Sequence, residues 1–238
     1  MSFNNKTIII TGASKGIGKQ LALDLAKEGA NLALIARGSA ELEELKTEVE
    51  KSGSKCLIFA GSVADSALVD EVITTVTAEF GSIDFMINNA GFGVFKRASE
   101  ISTAEWDSIY ETNVKGTFLY SKAVLPSMKA AGSGHIINVA SDVAKRVFDG
   151  GSLYCSSKYA QDAFSMALRK EVREFGIKVS VIYSGLVDSM FHADPQGDEQ
   201  HASWLKVQDM SNAIMYVMNQ PRHVVIDELM IHPLSQEY

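Results

Sequence analysis

The chain has 238 residues, 46% of them hydrophobic and 21% charged, with 22 Lys and Arg against 29 Asp and Glu for a formal charge of −7. That acidity, without any block of Lys or Arg, argues against nucleic acid or an anionic membrane as the main partner, since both need a basic footprint, and leaves a small molecule as the expected ligand. Cys56 and Cys155 are too few and too far apart for a disulfide framework or a metal cluster, which fits a reducing, cytoplasmic setting, and the lack of a charged-then-apolar leader or of an apolar run of about 18 residues predicts a soluble protein.

Short β-branched runs alternate with longer amphipathic stretches from the start. Thr7–Thr11 (TIIIT) reads as a fully apolar strand, followed by a helix over 17–28 that Gly29 closes. Asn31–Ala36 (NLALIA) is the second strand, then comes a charged helix over 40–52 closed by Gly53. Strand signals recur at 55–60, 83–88, 135–140, 178–183 and 224–231, separated by helical stretches over Ser66–Phe80, 103–131 and 152–175. The alternation predicts βαβ units: an α/β fold with a parallel seven-stranded sheet, buried on both faces, and helices on each side. No linker, low-complexity segment or fixed repeat interrupts it, so one domain over 1–238 is expected. Only 189–202 (SMFHADPQGDEQHA) lacks a clear period, and it reads as a mobile lid beside the ligand.

The first strand runs straight into Thr11-Gly-Ala-Ser-Lys-Gly-Ile-Gly18 and then a helix. Gly12, Gly16 and Gly18 would let backbone approach a pyrophosphate, and the helix start offers free N–H groups and a positive dipole end, with Ser14, Lys15 and Ile17 in the same turn. A glycine-rich turn without ligand is the plain alternative, and the flanking strand and helix favour the dinucleotide. An NAD site would place an acid at the end of the second strand, but that strand ends Ala36-Arg37 and the next acid is Glu41. Arg37 with Lys15 would pair with a 2′-phosphate, so NADP(H) is favoured over NAD. Tyr154-Cys-Ser-Ser-Lys158 (YCSSK) sets a phenol and an ammonium four apart on one helix face, where the positive charge would pull the phenol's pKa down from about 10.

The glycine loop, Asn88-Asn-Ala-Gly91 and YCSSK stand in this order in one chain, with a Ser and an Asn between them. In this the sequence resembles the short-chain dehydrogenase/reductase family over nearly its whole length. The resemblance implies a Rossmann-like, doubly wound fold and a catalytic set of Asn113, Ser141, Tyr154 and Lys158. Tyr154 would be the general acid for carbonyl reduction, Lys158 would lower its pKa and hold the nicotinamide ribose, and Ser141 would hydrogen-bond the substrate carbonyl. Asn113 would keep a helix open for a water that relays protons to Lys158. Asn89, Ala90 and Gly91 would line the cofactor groove, with Val187 and Ser189 near the carboxamide.

There are departures from the family pattern. Ser184-Gly185 replaces the usual Pro-Gly and would loosen the turn beside the nicotinamide, and Ser62 replaces a common Asp, leaving adenine contacts to backbone such as Val63. The ending Val224-Val-Ile-Asp-Glu-Leu-Met-Ile-His-Pro233 lacks the Asp-Gly-Gly of typical 3-oxoacyl-carrier-protein reductases and is more similar to bacterial sepiapterin-reductase-like and hydroxy-acid-dehydrogenase-like members. Phe92, Phe95, Phe148, Met190 and Phe191 would wall an apolar pocket, while Arg146 is either a carboxylate or phosphate anchor or an exposed loop charge. His192 and His201 have no companions at metal-ligand spacing, so no metal is expected. The expected substrate is a small carbonyl compound: a ketone, diketone or pterin side chain. A 3-oxoacyl-carrier-protein reductase-like enzyme and a catalytically silent dinucleotide-binding regulator are the alternatives. Helices 103–131 and 152–175 resemble those with which the family builds a homodimer or homotetramer.

Overall fold

The computed structural model describes residues 3–191 and 195–237. Seven strands form one parallel sheet: β1 (Thr7–Thr11), β2 (Asn31–Ala36), β3 (Cys56–Ala60), β4 (Phe85–Asn88), β5 (Gly134–Val139), β6 (Ile177–Ser184) and, after a two-residue pair to be described, β9 (Glu228–Ile231). Their order across the sheet is β3-β2-β1-β4-β5-β6-β9, with Ile10 in register with Leu34 on one side and Ile87 on the other. The chain winds outward from β1 to β3, then returns to continue from β4 on the opposite side. A crevice therefore opens at the C-terminal ends of β1 and β4, where doubly wound sheets bind ligands.

Helices cover both faces, and strand alternation decides which residue meets which layer. Ile8, Ile10, Leu32 and Leu34 point to one side, where they pack with Leu21 and Leu25 of α1 (Gly16–Lys27) and Leu42 and Leu45 of α2 (Ser39–Glu50). Ile9, Ala33 and Ile35 point to the other, against Val72 of α3 (Ser66–Phe80), Val124 of α5 (Thr117–Ala131) and Leu168 of α6 (Ser152–Val172). Every one of these side chains is inaccessible or nearly so.

Three elements differ from expectation. The helix foreseen over 103–131 is α4 (Thr103–Ile109), a π-helical segment Tyr110–Gly116, and α5, so the helical run is interrupted by a widened turn centred on Asn113. The last strand is confined to Glu228–Ile231, because residues 220–224 form a turn whose carbonyls from Gln220, Pro221 and Val224 converge on Lys178 Nζ. A helix that the sequence reading omitted, α7 (Val207–Met218), packs Met210, Ile214 and Val217 beside α1. Two-residue strands β7 (Val187–Asp188) and β8 (Leu205–Lys206) pair in parallel and pinch the base of the loop foreseen as a lid. No helix among the described residues is long and apolar enough to cross a membrane.

Candidate active site

A cleft of about 770 Å³ lies in the crevice at the ends of β1 and β4. It runs from the glycine loop past Tyr154 to Arg146 and Phe148.

The glycine loop is shaped by contacts to the turn after β4. Thr11 Oγ accepts the backbone N–H groups of Asn89 and Ala90, each at 3.1 Å, and Asn89 Nδ2 donates to the carbonyls of Thr11 and Gly12, also at 3.1 Å. Gly12 has φ +66° and sits where an added Cβ would come 2.8 Å from Ala90 Cα. Gly16, at φ +58°, faces open space apart from Ser189 Cβ at 3.6 Å. Lys15 caps α1 in an extended conformation with no side-chain hydrogen bond to the helix start, so the first N–H groups of α1 remain for a ligand. Gly18 departs from expectation: it is buried and does not border the cleft, and a Cβ there would meet the Gly12 carbonyl oxygen at 2.4 Å. Its role is close packing of α1 on the loop.

Lys15 and Arg37 both line this end, with Ser62 and Val63 across from them. Ser62 Oγ accepts the Ala64 N–H at 3.2 Å, so the hydroxyl is used within its own turn. Ala36 and Gly61, which the sequence reading did not select, complete the wall, joined by a 2.9 Å backbone hydrogen bond.

Ser141, Tyr154 and Lys158 meet in the middle of the cleft. Ser141 follows β5 and caps a short turn; its Oγ donates to Asp142 Oδ1 at 3.0 Å and lies 3.4 Å from the Ser184 carbonyl. Tyr154 and Lys158 stand on the first turns of α6, buried, with Lys158 Nζ 5.9 Å from the Tyr154 ring centre. Burial pushes the Tyr154 hydroxyl above its ordinary range, against a lowering by the Ser141 hydrogen bond. The sequence had predicted a lowering by Lys158, and the structure corrects this: desolvation of the phenol dominates. The same burial brings the Lys158 ammonium down to about 8.

Lys158 is held from behind. Its Nζ donates to the Val139 carbonyl and to Gln161 Oε1, both at 3.1 Å; Gln161 Nε2 donates to Thr117 Oγ at 3.0 Å, and Thr117 Oγ to the Asn113 carbonyl at 2.9 Å. Asn113 lies one layer behind the cleft wall. Its side chain clasps the Phe92 backbone in both directions, accepting from N–H at 3.1 Å and donating to C=O at 3.0 Å, and also donates to Ser157 Oγ at 3.0 Å. The π-helical turn exists around this clasp, as such widened turns do at functional sites. Gly91 leaves room for it, since a Cβ there would stand 3.2 Å from Asn113 Oδ1 and 3.5 Å from Lys158 Nζ. Gln161 escaped the sequence reading, although it lies on the same helix face as Tyr154 and Lys158, seven and three residues on.

At the far end the rings of Phe95, Phe148 and Phe191 gather around Tyr154: Phe95 meets Tyr154 edge-on with centroids 5.4 Å apart, and Phe191 is 5.6 Å from Tyr154. Phe92 and Met190 also line this wall. Arg146 is an ion-paired residue and not a free loop charge. Its Nε and Nη2 both donate to Asp142 Oδ2, at 2.8 and 2.6 Å, and Asp142 is buried. Gln236, also absent from the sequence reading, donates to the same Asp142 oxygen at 2.8 Å and accepts the Leu186 N–H at 2.8 Å. Gly185 donates to the Ile231 carbonyl at 2.8 Å. The Ser184-Gly185 turn, expected to be loosened without proline, is thus fastened from the C-terminal side, and Val187 and Ser189 follow it along the cleft.

His201 is committed to the loop itself. It lies 3.3 Å from Asp188 Oδ1 and stacks on Trp204 at 3.8 Å, while Asp188 also accepts from Gly197 N and Lys206 Nζ, each at 2.9 Å. His192 lies outside the described residues.

Comparison with known proteins agrees with this geometry. The sequence profile of the family described as short chain dehydrogenase matches residues 6–200. An uncharacterized oxidoreductase of Staphylococcus aureus is 32% identical over 230 residues, covering 97% of this chain and 98% of that protein. An alcohol dehydrogenase from the archaeon Thermococcus sibiricus, complexed with 5-hydroxy-NADP, superposes with a TM-score of 0.92 at 32% identity over 98% of both chains. The closed form of a serine dehydrogenase complexed with NADP+ does so with a TM-score of 0.89 at 30% identity, over 98% of this chain and 96% of that one. With the match running through both the glycine loop and the Tyr154 helix, the cleft is that of an oxidoreductase, and the chain belongs to the short-chain dehydrogenase family.

Proposed function

We propose that the protein is an NADPH-dependent reductase of a small carbonyl compound, with Tyr154 as the general acid. The carrying observation is the meeting of Ser141, Tyr154 and Lys158 in one cleft with the glycine loop. The residues fit NADP(H): Gly12 and Gly16 form a cradle that side chains would fill, the uncapped start of α1 offers N–H groups to a pyrophosphate, and Lys15 with Arg37 supplies charge for a 2′-phosphate. The solved complexes of the Thermococcus alcohol dehydrogenase and the serine dehydrogenase, both with NADP-type ligands, support the same choice. When bound, the nicotinamide would supply the hydride.

The chain's own residues manage the oxygen and its proton. Negative charge grows on the carbonyl oxygen during reduction, so two donors must meet it. Ser141 would turn its hydroxyl from Asp142 Oδ1 to hold the oxygen, and Tyr154 gives up its phenolic proton. Lys158, charged below pH of about 8, steadies the phenolate that remains and is positioned to meet the ribose. Asn113 shapes the turn that keeps Lys158, Gln161 and Thr117 in line.

The test is NADPH oxidation over a panel of ketones, diketones and short oxo acids, with NADH as control. Tyr154→Phe should lower kcat by about 10³-fold, within the range for loss of a positioned general acid, while NADPH binding measured by fluorescence persists. Turnover that survives the change would reject Tyr154 as the acid, and equal use of NADH would reject the role given to Lys15 and Arg37.

One domain spanning the chain, in the cytoplasm, is the organisation this reading implies. Phe118 on α5 and Tyr159 and Met166 on α6 are each more than 40% exposed, and they give a homodimer or homotetramer its contact surface. Light scattering that returned a monomer would remove that part.

A further inference from the structure

The Arg146–Asp142 pair presents unequal faces to the cleft. Both residues line it, but the Arg146 side chain is 33% exposed and the Asp142 side chain 4%. The carboxylate is also spent: Oδ1 takes the Ser141 hydroxyl, and Oδ2 takes Arg146 and Gln236, with His232 Nε2 3.6 Å away. Arg146 uses only Nε and one Nη2 hydrogen on a single oxygen. Of the five N–H donors of a guanidinium, three remain, including the pair across Nη1 and Nη2 that can grip an anion in parallel. The charge the cleft meets is therefore positive, held on a side chain that Asp142 has already fixed in place.

We propose that Arg146 binds a carboxylate on the substrate, so that the carbonyl compound is a short oxo acid and, in the reverse direction, a short hydroxy acid. This rests on the reductase reading above. The geometry limits the length of the molecule. Ser141 and Arg146 hydrogen-bond the two oxygens of one carboxylate, Asp142, so the places for the carbonyl and for the acid are near one another and suit a short molecule. Phe95, Phe148 and Phe191 pack together at the same end of the cleft and offer apolar surface to the substrate's carbons. A 3-oxoacyl thioester has no carboxylate to set against that guanidinium and forgoes the paired contact. The substrate loses a C=O π bond and gains C–H from the cofactor's hydride and O–H from Tyr154. The carboxylate takes no part in that balance and serves only to orient the chain.

The test has two arms. In the first, NADPH-dependent kcat/KM is compared for acetoacetate and its methyl ester. The acid should be favoured at least tenfold, and Arg146→Met should lower kcat/KM for the acid, chiefly through KM, by at least ten times more than for the ester. Arg146→Lys should recover part of the loss. Equal use of acid and ester, or equal losses on both, would overturn the proposal while leaving the reductase reading intact if Tyr154→Phe still abolishes turnover. The second arm needs no turnover: titration calorimetry of butanoate and butanamide into the enzyme–NADPH complex. Butanoate should bind more tightly than the amide and weaken about tenfold in Arg146→Met, the scale of one charged contact. No preference for butanoate, or a preference that survives the substitution, would overturn the carboxylate site. Should Arg146→Met fail to fold because Asp142 is left unpaired, the double variant Arg146→Met/Asp142→Asn carries the same comparison.

Discussion

At the β1 end of the cleft the walls are in large part main chain: Gly12, Gly16, the start of α1, and backbone from Ala36 and Gly61, clamped by Thr11 and Asn89, with Lys15 and Arg37 as their charged side chains. At the far end they are side chains: the rings of Phe95, Phe148 and Phe191, and the charged knot of Asp142, Arg146 and Gln236. The first can accept only a ligand whose shape suits a fixed peptide surface. The second can be rebuilt one side chain at a time without touching the sheet. A common cofactor and a changeable substrate call for this division, and Tyr154, Ser141 and Lys158 stand on the boundary between the two.

Breaking the backbone end should cost most. Gly12→Ala demands a left-handed residue with a Cβ 2.8 Å from Ala90 Cα, so it should lower stability by about 3 kcal/mol and abolish NADPH binding; denaturant melts and fluorescence titration would measure both. Next comes the boundary. Below pH of about 8 the buried Lys158 ammonium subtracts from stability, and the deficit fades as pH rises through the amine's ordinary 10.5, above which it is neutral folded or unfolded. Lys158→Met should therefore stabilise the protein by about 2 kcal/mol at neutral pH, with a higher Tm, while turnover collapses. A lower Tm would show that the hydrogen bonds to Val139 and Gln161 outweigh the desolvation.

A subtler test of the boundary is Gln161→Leu. It takes an acceptor from the ammonium, so the pH above which kcat/KM for reduction falls should move below about 8; Gln161→Glu should move it up. A role in packing alone would leave that limb in place. The smallest effect is expected at the side-chain end, where Gln236→Ala removes one bond to Asp142 and one to Leu186. It should cost about 1 kcal/mol, seen as a few-fold rise in KM with the cofactor's affinity nearly unchanged.

The same division explains what the sequence revealed. Strands of the sheet interior are apolar on both faces, and a glycine loop between strand and helix is a local pattern, so β1, the loop and α1 could be read within two residues of their ends. YCSSK is local too. Gln236 is not: it joins the site from 94 positions beyond Asp142, and only the folded sheet brings β9 beside β6. The state of Arg146 depended on the burial of Asp142, which no spacing announces. The Tyr154 shift was misjudged because a helical repeat gives proximity to Lys158 but not the depth of the phenol. The helix α7 was not foreseen although Met210, Ile214 and Val217 recur at helical spacing, because it begins after Lys206, which is not one of the residues that ordinarily cap a helix start.

The bond from Gln236 to Asp142 and Leu186 also bears on how the enzyme comes into being. A domain folds as a unit, and this bond ties the last strand to the middle of the chain: Gln236 follows β9, while Asp142 and Leu186 follow β5 and β6. The selective end of the cleft is therefore complete only once the ribosome has released β9 into the sheet. A chain halted before that strand would leave Asp142 short of a partner and the Ser184-Gly185 turn unfastened.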